Sequence, residues 1–197
     1  MDYRLRKACF DGNLEYIKQR IEKNKFSFQH YKEYHINPIY LCACKGKLEC
    51  IKYLINIIPI SLETIVDCIK MSTTGGHYYT VEFLISISDG IENNNPRIVY
   101  ALAISINKGY RQIARLLIES GLGMDCPDCH PFLFCAEVGD LDTMELLVQK
   151  FPKWYQYGKI AFSIAMERKK TKIVDFLTGK GIGCKNCEKI EFKILYS

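Results

Sequence analysis

Four cysteines stand in two pairs of equal spacing, Cys126-x-x-Cys129 in "MDCPDCHPFLFC" and Cys184-x-x-Cys187 in "GCKNCE". Such a pair brings two sulfurs from one turn to two corners of a tetrahedron, so the four thiolates together could hold one structural zinc ion. His130, directly after the first pair, could replace one of them. The same thiols could instead respond to redox state or stay reduced as turn residues.

Other chemistry is hard to assemble from this chain. Nucleophilic catalysis needs a Cys or Ser beside an oriented base, and only four histidines are present, His30, His35, His77 and His130. His30, Glu33 and His35 lie close in "HYKEYH", but not in the H-E-x-x-H spacing that puts two ligands on one helical face. "STTGGHYY" has two glycines without the Lys-Ser/Thr of a phosphate loop. No catalytic residue emerges, and the expectation is a protein that is not an enzyme and has no small-molecule substrate.

Composition narrows the remaining classes. The 27 basic and 22 acidic residues are interspersed, without the clustered basic footprint of a nucleic-acid binder. The most apolar run, "YLINIIPISL", is broken by Pro59 and far short of the ~20 residues needed to cross a bilayer. Ten cysteines accompany an amino terminus, "MDYRLRKACFDG", that carries charges where an export signal would be apolar. The expectation is an intracellular protein, cytoplasmic or nuclear, with reduced thiols.

The elements that must position these residues follow a period of about thirty. "GNLEYIKQRI" from Gly12, "GKLECIKYLI" from Gly46, "GHYYTVEFLI" from Gly76, "GYRQIARLLI" from Gly109, "GDLDTMELLV" from Gly139 and "KKTKIVDFLT" from Lys169 are versions of one unit. After each anchor, apolar residues recur at helical spacing, as in Ile51, Leu54 and Ile55. Before it lies a second apolar segment rich in small residues, such as "PIYLCACK" or "IAFSIAME". Two short helices joined at a glycine cannot bury both faces alone, but stacked neighbours can. The spacing predicts an all-α solenoid of six stacked helix-turn-helix repeats, near 3–36, 37–66, 67–96, 97–129, 130–159 and 160–190, with a tail at 191–197.

"NPIYLCACKG" (Asn37 to Gly46) and "HPFLFCAEVG" (His130 to Gly139) resemble the signature of the ankyrin repeat family, roughly T-P-L-H-x-A-A-x-x-G. The resemblance spans nearly the whole chain and implies finger-like connections, a concave face formed by fingers and first helices, and a protein partner. Thr is replaced by Asn37 or His130 and His by Tyr40 or Leu133, which implies loss of the family's Thr–His hydrogen bonding in most copies. Divergent Lys/Asn/Ile-rich arrays of this kind resemble those of large DNA viruses and intracellular bacteria. That resemblance implies a host factor as partner, to be sequestered or rerouted. The repeat register also bears on zinc: the two cysteine pairs fall in fingers two repeats apart, roughly 20 Å at the usual helix spacing, whereas one ion needs every sulfur within ~2.3 Å.

Aromatic residues in connections have no core to fill and suit an interface. Two segments qualify. The first connection carries Phe26, Phe28, Tyr31 and Tyr34, and "KFPKWYQYGK" carries Trp154, Tyr155 and Tyr157 between lysines. These seven residues are the candidate partner-binding set.

Overall fold

The first helix of a repeat must start cleanly for its neighbours to stack, and the chain uses one device three times. Asn37, Asn95 and His130 each precede a proline, and each accepts a hydrogen bond from the backbone N–H two residues on, at 2.9, 3.0 and 3.2 Å. The proline occupies the first helical position, where its missing N–H has no partner to lose. Cap and proline together fix where the helix begins.

The structure, a computed structural model, describes residues 3–24, 37–124 and 130–183. Among these lie twelve α-helices in six pairs and no strand. The pairs are α1 (Tyr3–Asp11) with α2 (Leu14–Asn24), α3 (Pro38–Cys44) with α4 (Leu48–Ile55), and α5 (Leu62–Thr74) with α6 (Tyr78–Ser86). They continue as α7 (Pro96–Asn107) with α8 (Arg111–Glu119), α9 (Pro131–Val138) with α10 (Leu141–Lys150), and α11 (Tyr155–Glu167) with α12 (Thr171–Gly179). The odd-numbered helices pack each on the next as one layer, and the even-numbered helices from α2 to α10 do the same as a second. This is a solenoid of the ankyrin-like type.

Each pair turns at its anchor. Five anchors are glycines with positive φ, from 61° at Gly46 to 87° at Gly139. At Gly46 a side chain has no room as well: a Cβ there would meet the His77 ring of the next repeat, 2.5 Å from its Cγ. The sixth anchor is Lys169, and its φ of 55° makes it the one non-glycine residue with positive φ among those described. The repeat therefore imposes its turn even where the sequence lacks the residue suited to it.

The core is periodic in the same way. Leu54, Leu84, Leu117, Leu147 and Leu177, one on the second helix of each repeat after the first, have no exposed surface, and neither do Ile51, Val81, Ala114 and Met144. Burying a leucine side chain contributes ~1.5–3 kcal/mol, so this one column supplies much of the driving force for stacking. Hydrogen bonds then lock the register between repeats. The Ser72 hydroxyl donates to the Ala43 carbonyl at 3.1 Å, and the His77 Nε2 lies 3.1 Å from the Cys44 carbonyl.

Two helices begin ahead of the boundaries drawn from spacing at 67 and 160. Helix α5 starts at Leu62, where Ser61 caps it by accepting from the Thr64 N–H at 3.2 Å. Helix α11 starts at Tyr155, led in by a 3-10 turn at Pro152–Trp154. Neither start carries the X-Pro mark.

Candidate functional site

The cysteine pairs Cys126–Cys129 and Cys184–Cys187 lie outside the described residues, as do Phe26, Phe28, Tyr31 and Tyr34. Within the described residues no group of three or more His, Cys, Asp or Glu side chains is arranged to hold a metal ion. Cys9, Cys42, Cys50, Cys68 and Cys135 are buried and Cys44 is half-buried, all as free thiols. Burial pushes the Cys68 and Cys135 thiols well above the ordinary range, which keeps them protonated and unreactive. They fill space between helices.

The three described members of the aromatic set stand at the start of a helix rather than in an open connection. Trp154 belongs to the 3-10 turn, and Tyr155 and Tyr157 to the first turn of α11. Trp154 is half-buried with its ring tilted against Phe132, centroids 5.5 Å apart. Tyr157 stacks on the buried His130 ring at 4.0 Å and an interplanar angle of 19°. Phe151 closes the group, 4.7 Å from His130. Two of the three rings thus tie the sixth repeat to the fifth, and Tyr155 alone is strongly exposed, at 59%.

Exposure elsewhere has a pattern that no single motif signals. Nine large apolar residues are strongly exposed among those described, and seven lie on first helices: Tyr3, Phe10, Leu62, Tyr100, Tyr155, Ile160 and Met166. Only Tyr79 and Ile87 belong to the second-helix side. Among the described residues, the side of the first-helix layer turned away from the second helices is therefore an open face that carries apolar groups with no further layer over them. Sequence reasoning missed it because no single repeat looks unusual.

Electrostatics on the open face run between repeats. Arg97 of α7 reaches back to α5, with its Nε 2.9 Å from Asp67 and an η nitrogen 3.0 Å from Glu63. Asp67 is only 3% exposed, and burial raises its carboxyl above the usual range while Arg97 pulls it down. Arg168 similarly reaches Glu137 of the preceding repeat at 2.9 Å. On the second-helix side, α8 and α10 enclose a groove of about 320 Å³ lined by Arg111, Arg115, Asp142, Glu145 and Gln149. Arg111 is 3.2 Å from Asp142 there, so the groove is polar and internally paired, without the apolar walls typical of a small-molecule pocket.

Six stacked helix pairs, anchored by left-handed turns, give the chain an ankyrin-like fold. Among solved structures it is similar to the ankyrin repeat domain of Bcl-3, a unique member of the IkappaB protein family, with a TM-score of 0.72 at 17% identity. That match covers 92% of this chain and 87% of the other. No protein-family model matches the sequence, and no curated protein matches it. The fold is generally a protein–protein interaction module and typically not an enzyme. No helix among the described residues is long and apolar enough to cross a membrane.

Proposed function

We propose that this protein is a non-enzymatic docking module that holds another protein against the open face of its first helices. The observation that carries the reading is the segregation of exposed apolar side chains: seven of the nine on first helices, where the fold needs no cover. Exposed aromatics surrounded by polar neighbours are the groups that dominate binding energy at interfaces. Tyr155 is the member of the sequence-derived set best placed to touch a partner, while Trp154 and Tyr157 hold their surroundings in place.

The identity of the partner rests on resemblance alone. Divergent arrays of this composition point to a host-cell protein in cytoplasm or nucleus, sequestered or rerouted by capture. Affinity capture followed by mass spectrometry tests both parts. Wild type and Tyr79→Ala should retain the same proteins. A double variant should lose them while keeping its helical circular dichroism: Ile104→Glu, at a half-buried position one helical turn after Tyr100 on α7, with Tyr155→Ala. Capture unchanged by the double substitution would end the open-face reading.

A further inference from the structure

The fifth residue before each anchor forms one row across the open face: Leu41, Met71, Ile104, Phe134 and Ile164, all half-buried, with Lys7 in the same place in the first repeat. Packed helices lie ~8–10 Å apart, so the row offers one apolar side chain per ~8–10 Å. Lys70, Thr74, Asn107 and Lys108 border it, and the exposed Tyr3, Tyr100 and Ile160 lie one helical turn before its members in three repeats.

Charge is uneven along the row. Over the first four repeats Arg6, Lys7, Lys45 and Lys108 are exposed, against Asp11 and a Glu63 already held by Arg97. Two of these cations are held in place: the Lys45 ammonium sits 4.1 Å from the centre of the Phe10 ring, and the Lys108 ammonium donates to the Thr74 carbonyl at 3.0 Å. Over the last two repeats Glu137 and Arg168 neutralise one another, and the exposed groups of α11 include Tyr155, Ile160 and Met166 with one cation, Lys159, and one anion, Glu167. One end of the face is basic, and the other is balanced in charge and richer in exposed apolar groups.

The period of the row selects a partner conformation. A polyproline II chain has three residues per turn at ~3.1 Å each, so it presents the same side every ~9 Å, in step with the repeats. A β-strand presents the same side every ~6.6 Å and falls out of step after one repeat. An α-helix brings the same side round only every seven residues, ~10.5 Å, and outruns the repeats. Building on the docking reading above, we propose that the open face takes an extended, polyproline II-type segment of another protein. Its apolar residues recur at every third position, and its acidic residues lie over the first four repeats.

The test uses the full chain and fluorescein-labelled synthetic peptides of about 18 residues, enough for six turns. The first has Leu at every third position among Pro and Glu, with Glu concentrated at one end. The second has the same composition with Leu at every second position. A third is a helix-forming peptide with Leu at every seventh, and a fourth has Lys in place of Glu. By fluorescence anisotropy the first should bind about tenfold more tightly than each of the others, and should weaken as salt is added. Substituting Met71→Lys and Ile104→Lys should remove that preference.

Equal affinity for the first two peptides, tighter binding of the helical one, or no binding by any of them would overturn the inference. If no peptide binds but partner capture still depends on Ile104, the segment proposal falls and the docking face stands. If capture ignores Ile104, both fall.

Discussion

The two helix layers of this molecule distribute their ion pairs differently. On the second helices three ion pairs close within one helix, Lys18 with Glu15, Lys52 with Glu49 and Arg115 with Glu119, at 2.8 to 3.3 Å, and Arg111 reaches the next repeat at Asp142. Such exposed pairs contribute well under ~1 kcal/mol each, and they leave a largely polar surface. On the first helices the arginines reach across to the preceding repeat, Arg97 to Glu63 and Asp67, and Arg168 to Glu137. Those contacts fix register between repeats and leave apolar side chains displayed between them. One layer builds a mostly polar surface, and the other leaves apolar groups exposed.

The largest expected effect separates the layers by stability. Leu117, wholly enclosed on the second-helix layer, should lose ~2–5 kcal/mol on substitution by Ala. Ile104, half-buried on the open face, should lose under ~1 kcal/mol with the same change. Denaturant melts of the two variants measure the difference, and similar losses would mean that Ile104 is a core residue and the face is closed.

The anchor at the sixth repeat gives a smaller effect. A non-glycine residue in left-handed conformation costs ~1–2 kcal/mol, part of which glycine gives back through the entropy of the unfolded chain. Lys169→Gly should therefore stabilise by up to about 1 kcal/mol, seen as a higher melting temperature. A drop would show that Lys169 makes contacts worth more than its backbone strain.

The smallest effect concerns the buried carboxylate that joins α5 to α7. Because burial raises the Asp67 pKa above its ordinary 3.8, protonation favours the folded state. That contribution is full below the ordinary value and disappears as pH rises through the raised one. Above the raised value the charged form carries a desolvation that Arg97 offsets only in part. Asp67→Asn should stabilise at high pH by no more than about 1 kcal/mol, with the gain shrinking as pH falls through the raised value and levelling off by 3.8. A gain that grows on acidification would assign the Arg97 attraction, rather than burial, as the dominant influence.

Much of this architecture is legible in the sequence because it repeats. Gly12, Gly46, Gly76, Gly109 and Gly139 mark turns that only a residue tolerant of positive φ enters without strain, and Lys169 is recognisable from spacing even though its side chain is wrong. The Asn37-Pro38 and His130-Pro131 starts are legible for the same local reason, and Asn95-Pro96 carries that mark too, although its role surfaced only with the structure. The early starts of α5 and α11 are harder to see. Ser61 is one serine among many, and "FPKWYQYG" has the Pro and Gly of a connection although it holds a helix start. The fate of Trp154 and Tyr157 depends on Phe132 and His130, more than twenty residues away, which local pattern does not encode. The open-face row is the opposite case: its members sit at one fixed offset from every anchor, yet each repeat alone shows merely one more apolar residue in a helix.

Lysine acylation footprinting with a captured partner tests the division between the layers most directly. Lys45 and Lys108 border the open face, while Lys23 and Lys150 end helices α2 and α10 on the opposite layer, and all four are exposed. Binding should suppress labelling of Lys45 and Lys108 and leave Lys23 and Lys150 as reactive as in the free chain. Protection of Lys23 and Lys150 with Lys45 and Lys108 unchanged would place the partner on the second helices and contradict the account.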